Sequence, residues 1–89
     1  MTTVRIPAAL RKYTAGLAQV TARGGTVGEV IADLECSYPG LRACLLDDRG
    51  IRRFVNLYVG ENDVRFLEGL DTEVGTGELL TILPGIAGG

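Results

Sequence analysis

The chain has 89 residues, a net charge of −2, 46% hydrophobic and 22% charged residues, and no histidine. That is enough apolar material for one compact domain and too much for wholesale disorder. It excludes histidine-ligated metal sites and histidine general bases, and the lack of clustered Lys and Arg argues against nucleic acid as a partner.

Val4 and Ile6 alternate with Thr3 and Arg5, which predicts a first strand ending at Pro7. A second strand is expected over Leu17 to Ala22, between Gly16 and Gly24-Gly25, after a loop around Arg11 to Ala15. Thr26 opens the strongest helix signal, with Glu29 three residues on completing a capping box. Val27, Val30, Ile31, Leu34 and Tyr38 follow at helical spacing until Pro39-Gly40 stops the helix. Leu41, Leu45 and Leu46 suggest one further short turn on the same core.

Phe54 to Val59 is the clearest strand, with Val55, Leu57 and Val59 on one face and Phe54, Asn56 and Tyr58 on the other. Gly60 to Asp63 reads as a turn, followed by a short strand holding Val64 and Phe66. A second turn at Gly75 to Glu78 precedes the last strand, Leu79 to Leu83, which Pro84 ends. The string predicts an α+β chain of the β-grasp (ubiquitin-like) type. About five strands would form a mixed sheet, with one main helix across it and the last strand returning beside the first.

No catalytic constellation appears. Ser37 is the only serine and has no histidine to activate it. The carboxylates Asp47, Asp48, Glu61 and Asp63 fall in turns, where solvated acids are ordinary. Cys36 and Cys44 do not form a Cys-x-x-Cys motif and read as small apolar filler in a reducing compartment. No stretch approaches the ~20 apolar residues that cross a bilayer, and Met1 to Pro7 lacks a secretory signal's apolar run. A cytoplasmic protein without membrane partners is the expectation.

The end of the chain carries the chemistry. Pro84-Gly85-Ile86-Ala87-Gly88-Gly89 follows a committed strand, has no charged side chain and finishes on two glycines. This divides the chain into a domain over 1–83 and a tail over 84–89, which is expected to be flexible. Without a Cβ, Gly88 and Gly89 can thread a narrow channel and adopt backbone angles closed to other residues. A terminal carboxylate offered to a partner enzyme needs that freedom.

At this point the sequence resembles the ThiS/MoaD sulfur carriers, and within them the actinobacterial branch that serves cysteine biosynthesis. The similarity runs end to end and is most specific in Arg53 to Val59, in Asp63-Val64-Arg65-Phe66, and in Thr81 to Gly89. The resemblance implies a non-enzymatic carrier acted on by others. An E1-like enzyme would use ATP and magnesium to adenylate the Gly89 carboxylate, with no cofactor or metal held by the carrier itself. A sulfur donor would then leave a thiocarboxylate on Gly89, for delivery to an acceptor synthase. Pro84, Gly85, Ile86, Ala87 and Gly88 would thread the partner active sites. Gly85 stands where such tails usually carry a bulkier residue.

Strand alternation puts Phe54, Tyr58 and Leu83 on the face away from the helix, as a partner-docking patch at the root of the tail. A monomer with transient complexes is the natural expectation. Two other uses share the same adenylate and the same Gly-Gly end. One is a ubiquitin-like modifier joined through Gly89 to lysines, and the other is the small subunit of a molybdopterin-synthase-like complex. A plain interaction module with an inert tail is a further class, which deletion of Gly89 separates from the rest.

Overall fold

The computed structural model describes residues 1–84, and of Pro84 the backbone alone. The strands are β1 (Thr2–Arg5), β2 (Gln19–Ala22), β3 (Leu46–Asp47), β4 (Gly50–Ile51), β5 (Val55–Val59), β6 (Asn62–Asp63) and β7 (Leu79–Pro84). The helices are α1 (Val27–Ser37) and the short α2 (Leu41–Leu45), with 3-10 turns at Ala8–Tyr13, Val64–Phe66 and Gly69–Asp71.

A five-stranded mixed sheet has the order β2-β1-β7-β5-β6. β1 runs parallel to β7 and antiparallel to β2, while β5 is antiparallel to β7 and β6. β7 is thus a central strand, and β1 reaches it only because helix α1 carries the chain away from the first hairpin. The helix lays Val27, Val30, Ile31 and Leu34 on the sheet, where they meet Val4, Ile6, Leu57, Leu80 and Ile82 in one buried cluster. This is the β-grasp arrangement expected from the order of elements.

Thr26 caps α1 as its position predicts, accepting the Glu29 amide at 3.2 Å. Glu29 reaches back to the amide of Gly25 at 2.7 Å, one residue before the usual capping-box partner. Backbone bonds from Val27 to the Thr72 carbonyl and from Val74 to the Gly25 carbonyl tie the helix start to the segment ahead of β7.

Several boundaries differ from those the sequence suggests. β2 starts at Gln19, because a 3-10 turn and positive φ at Ala15 and Gly16 occupy the preceding residues and leave Leu17 exposed. Val64 and Phe66 lie on a 3-10 turn. Val64 is buried and Phe66 is 88% exposed, opposite fates for residues that a strand would place on one face. The cause is Asp63, whose carboxylate accepts the Arg65 amide at 2.9 Å and curls the backbone. The β3–β4 hairpin was not foreseen, since two-residue strands show no alternation to read. β5 begins at Val55 and leaves Phe54 in the turn before it, and β7 extends one residue further than expected, through Pro84.

Candidate functional site

The candidate site is the end of the sheet from which β7 delivers the chain's last residues. Gly85, Ile86, Ala87, Gly88 and Gly89 lie outside the described residues, so the site is defined here by its root. Pro84 is directly opposite Val55 in the ladder. Val55 donates its N–H to the Arg52 carbonyl at 3.0 Å, and its carbonyl accepts from Arg65. Both polar groups of Val55 therefore point away from β7. Pro84 sits where the ladder requires no N–H, which lets a proline close a central strand.

The outward face beside Pro84 is apolar and open. Leu83 pairs with Asn56 and is 43% exposed; Phe54, in the turn leading into β5, is 51% exposed. Tyr58 is half-buried opposite Thr81, two residues further along the same face. Leu57, Val59, Leu80 and Ile82 are buried on the other face, so the alternation runs as the sequence indicates. Tyr58 and Leu83 accordingly lie on the outward side, and Phe54 is exposed in the adjoining turn, with Phe54 and Leu83 the more accessible.

Cationic side chains surround this patch. The Arg53 guanidinium stands 5.6 Å from the centre of the Phe54 ring. Arg5 and Arg11 line an open groove with Gln19, Thr81 and Leu83, and Arg11 Nε donates to the Ile6 carbonyl at 3.2 Å. At the opposite end of the sheet, Glu78 precedes β7 and Glu61 sits in the β5–β6 turn. Asp47 and Asp48 line a second open groove with Arg49 and Arg53, so the arginines near the tail root have acidic neighbours.

The cysteines depart from the expected role. Cys36 is exposed on α1 and cannot be core filler. Cys44 is half-buried on α2 and its thiol donates to the Gly40 carbonyl at 3.4 Å. A hydrogen bond with the Cys44 side chain raises the pKa of the Tyr13 phenol. Glu35 accepts the Gly40 amide at 3.1 Å and the Arg42 amide at 2.9 Å, and these bonds, the Gly40 one foremost, lower its pKa. Among the described residues no group of three or more Cys, Asp or Glu side chains could hold a metal ion, and no helix is long and apolar enough to cross a membrane.

Sequence reasoning missed Arg65. It fell in a stretch recognised only by resemblance, and its role depends on a fold-back that no periodicity signals. Its guanidinium donates to Asn56 Oδ1 and to main-chain carbonyls of the Phe54 turn.

Comparison with known proteins finds relatives over nearly the full length of the chain. A family model described as the ThiS family matches residues 4–89. The sulfur carrier protein CysO of Mycobacterium tuberculosis is 48% identical over 90 residues, covering 98% of this chain and 97% of that one. Among solved structures, the Amycolatopsis orientalis BexX/CysO complex contains a chain of TM-score 0.95 and 47% identity, with full coverage of both. The crystal structure of Mycobacterium tuberculosis CysO gives a TM-score of 0.93 at 45% identity, covering 97% of this chain and 100% of that one. The chain belongs to the ThiS family and is a sulfur carrier, a protein that conveys sulfur and is not itself an enzyme.

Proposed function

We propose that the working group is the carboxylate of Gly89, activated by a partner and loaded with sulfur. A carboxylate is a poor electrophile, so its oxygen first attacks the α-phosphate of ATP in an E1-like enzyme that holds the magnesium. Pyrophosphate leaves and the Gly89 acyl-adenylate forms. A sulfur nucleophile then displaces AMP, leaving a thiocarboxylate whose sulfur passes to an acceptor synthase. Biosynthesis of cysteine is the first pathway to test, with a shared cofactor or natural-product pathway next. The carrier brings the reactive atom and a docking surface, and its partners bring the catalysis.

The observation that carries this reading is the position of Pro84. It is paired in the central strand β7, beside exposed Leu83 and Phe54, five positions before the terminal glycine. A tail of Gly85, Ile86, Ala87, Gly88 and Gly89 starting there can enter a partner while the patch of Phe54, Tyr58 and Leu83 rests on the partner's surface. The structure of a relative in complex with BexX supports a protein partner of this kind.

The test is intact-mass analysis after incubation with an E1-like adenylating enzyme, ATP, magnesium and sulfide. The expected product gains the mass of one oxygen exchanged for sulfur, is captured by a thiol alkylator, and fails to form when Gly89 is deleted. Conjugates linked to lysine in place of the thiocarboxylate would turn the reading to a protein modifier. A stable, co-purifying large subunit would turn it to a permanent synthase subunit.

A further inference from the structure

Arg65 follows the point at which β6 stops. β6 pairs only with Tyr58 and Val59, so the stretch of β5 ahead of Tyr58 has no neighbouring strand on that side. Left alone, the Val55 carbonyl would present an open edge there. The Arg65 guanidinium fills the gap. Nη1 donates to Asn56 Oδ1 at 2.8 Å; Nη2 donates to the Arg52 carbonyl at 2.8 Å and to the Val55 carbonyl, with a longer contact of 3.4 Å to the Arg53 carbonyl. These four acceptors are neutral, and the three carbonyls bracket Phe54 on both sides. The donor is itself anchored, since Val64 is buried and the Arg65 amide is held by Asp63. A planar fork of fixed donors can gather several carbonyls at once, which a single ammonium cannot.

We infer that Arg65 is a positioning residue for partner engagement: through the carbonyls of Arg52, Arg53 and Val55 and the Asn56 amide, it sets the turn that carries exposed Phe54 into β5, next to the Val55–Pro84 pair at the root of the tail. The inference rests on the adenylation reading above. The guanidinium bonds of Arg65 all go to exposed groups of the Arg52–Asn56 stretch. Its removal loosens a surface that must otherwise be ordered on binding, and the cost appears in affinity rather than turnover.

The experiment compares wild type with Arg65→Ala, Arg65→Lys and Asn56→Ala, using adenylation kinetics and amide hydrogen exchange on the full chain. In Arg65→Ala, exchange at the Val55 amide accelerates while the amides of Tyr58 and Leu80, which lie inside the sheet, hold. KM for the carrier rises about tenfold, the scale of one hydrogen bond to a charged group, at unchanged kcat. Arg65→Lys restores the charge without the fork and recovers only a minor part of the affinity. Asn56→Ala shifts KM in the same direction by less. A wild-type carrier that no E1-like enzyme adenylates would overturn the adenylation reading and this inference with it. Wild type adenylated normally, with the KM of Arg65→Ala unchanged or the Val55 exchange unaltered, would overturn the role of Arg65 alone.

Discussion

Glu35 shows how one half-buried side chain organises a junction. Its carboxylate collects the amides of Gly40 and Arg42, which open helix α2 and have no partner inside it. Because these bonds favour the ionised form, the folded-state pKa lies below the unfolded one. The stabilisation is therefore complete above the ordinary carboxylate range and is lost as pH falls through the folded pKa. Thermal melts of wild type and Glu35→Ala, taken from about pH 7 down to about pH 3, should converge on the acid side. A constant gap between the two curves would show that the charge is not what matters. Gly24 is constrained by both its backbone and its neighbours. It has φ +147°, and an added Cβ would lie 2.7 Å from the Val30 amide nitrogen. Gly60, at φ +62°, has open space around it. Gly60→Ala should cost about 1–2 kcal/mol for its left-handed backbone. Gly24→Ala should cost more in urea unfolding, because the helix start must also move.

Elements here are set by a few local bonds and then fixed by packing. The α1 start is one case: Thr26→Ala removes the acceptor for the Glu29 amide and should cost about 1 kcal/mol in chemical denaturation, at an unchanged m-value. That helix, the β5 and β7 strands and their inner faces were legible because apolar residues recur at the element's own period. Leu57, Val59, Leu80 and Ile82 could be assigned to the core before any coordinates. What escaped was shorter than a period. The 3-10 turn at Val64 depends on the Asp63 carboxylate, and the β3–β4 pair depends on Gly50 turning at φ +111°. At the site, alternation was enough to turn Tyr58 and Leu83 away from the buried face, whereas Phe54 lies in the turn before β5 and is exposed there. The bonds that hold that turn could not be read, because Arg65 is remote in sequence and arrives by a turn that looks like a strand.

At the scale of the whole molecule, one small core carries everything. A domain of 89 residues has a total stability of roughly 4–13 kcal/mol, and truncating a fully buried leucine costs about 2–5 kcal/mol. Leu57→Ala should therefore consume a large share of the total and show a markedly lower urea midpoint. Leu83→Asp, on the outward face, should leave the midpoint nearly unchanged while raising KM for the adenylating enzyme. If Leu83→Asp lowered stability as much as Leu57→Ala, the division between a load-carrying inner face and a recognising outer face would be wrong.

The parallel pairing of β1 with β7 has a mechanical meaning. Thr3, Val4 and Arg5 lie alongside Leu79, Leu80 and Thr81, while the chain's two ends leave these strands in opposite directions. Tension applied between Thr2 and Leu83 loads those rungs in shear, so they must yield together. Tension between Thr2 and Ala22, at the open end of the antiparallel β1–β2 pair, peels the rungs apart one at a time. Force spectroscopy should find the first geometry the stronger. A partner that grips the last residues while the start of β1 is held loads the chain in the stronger of these two geometries.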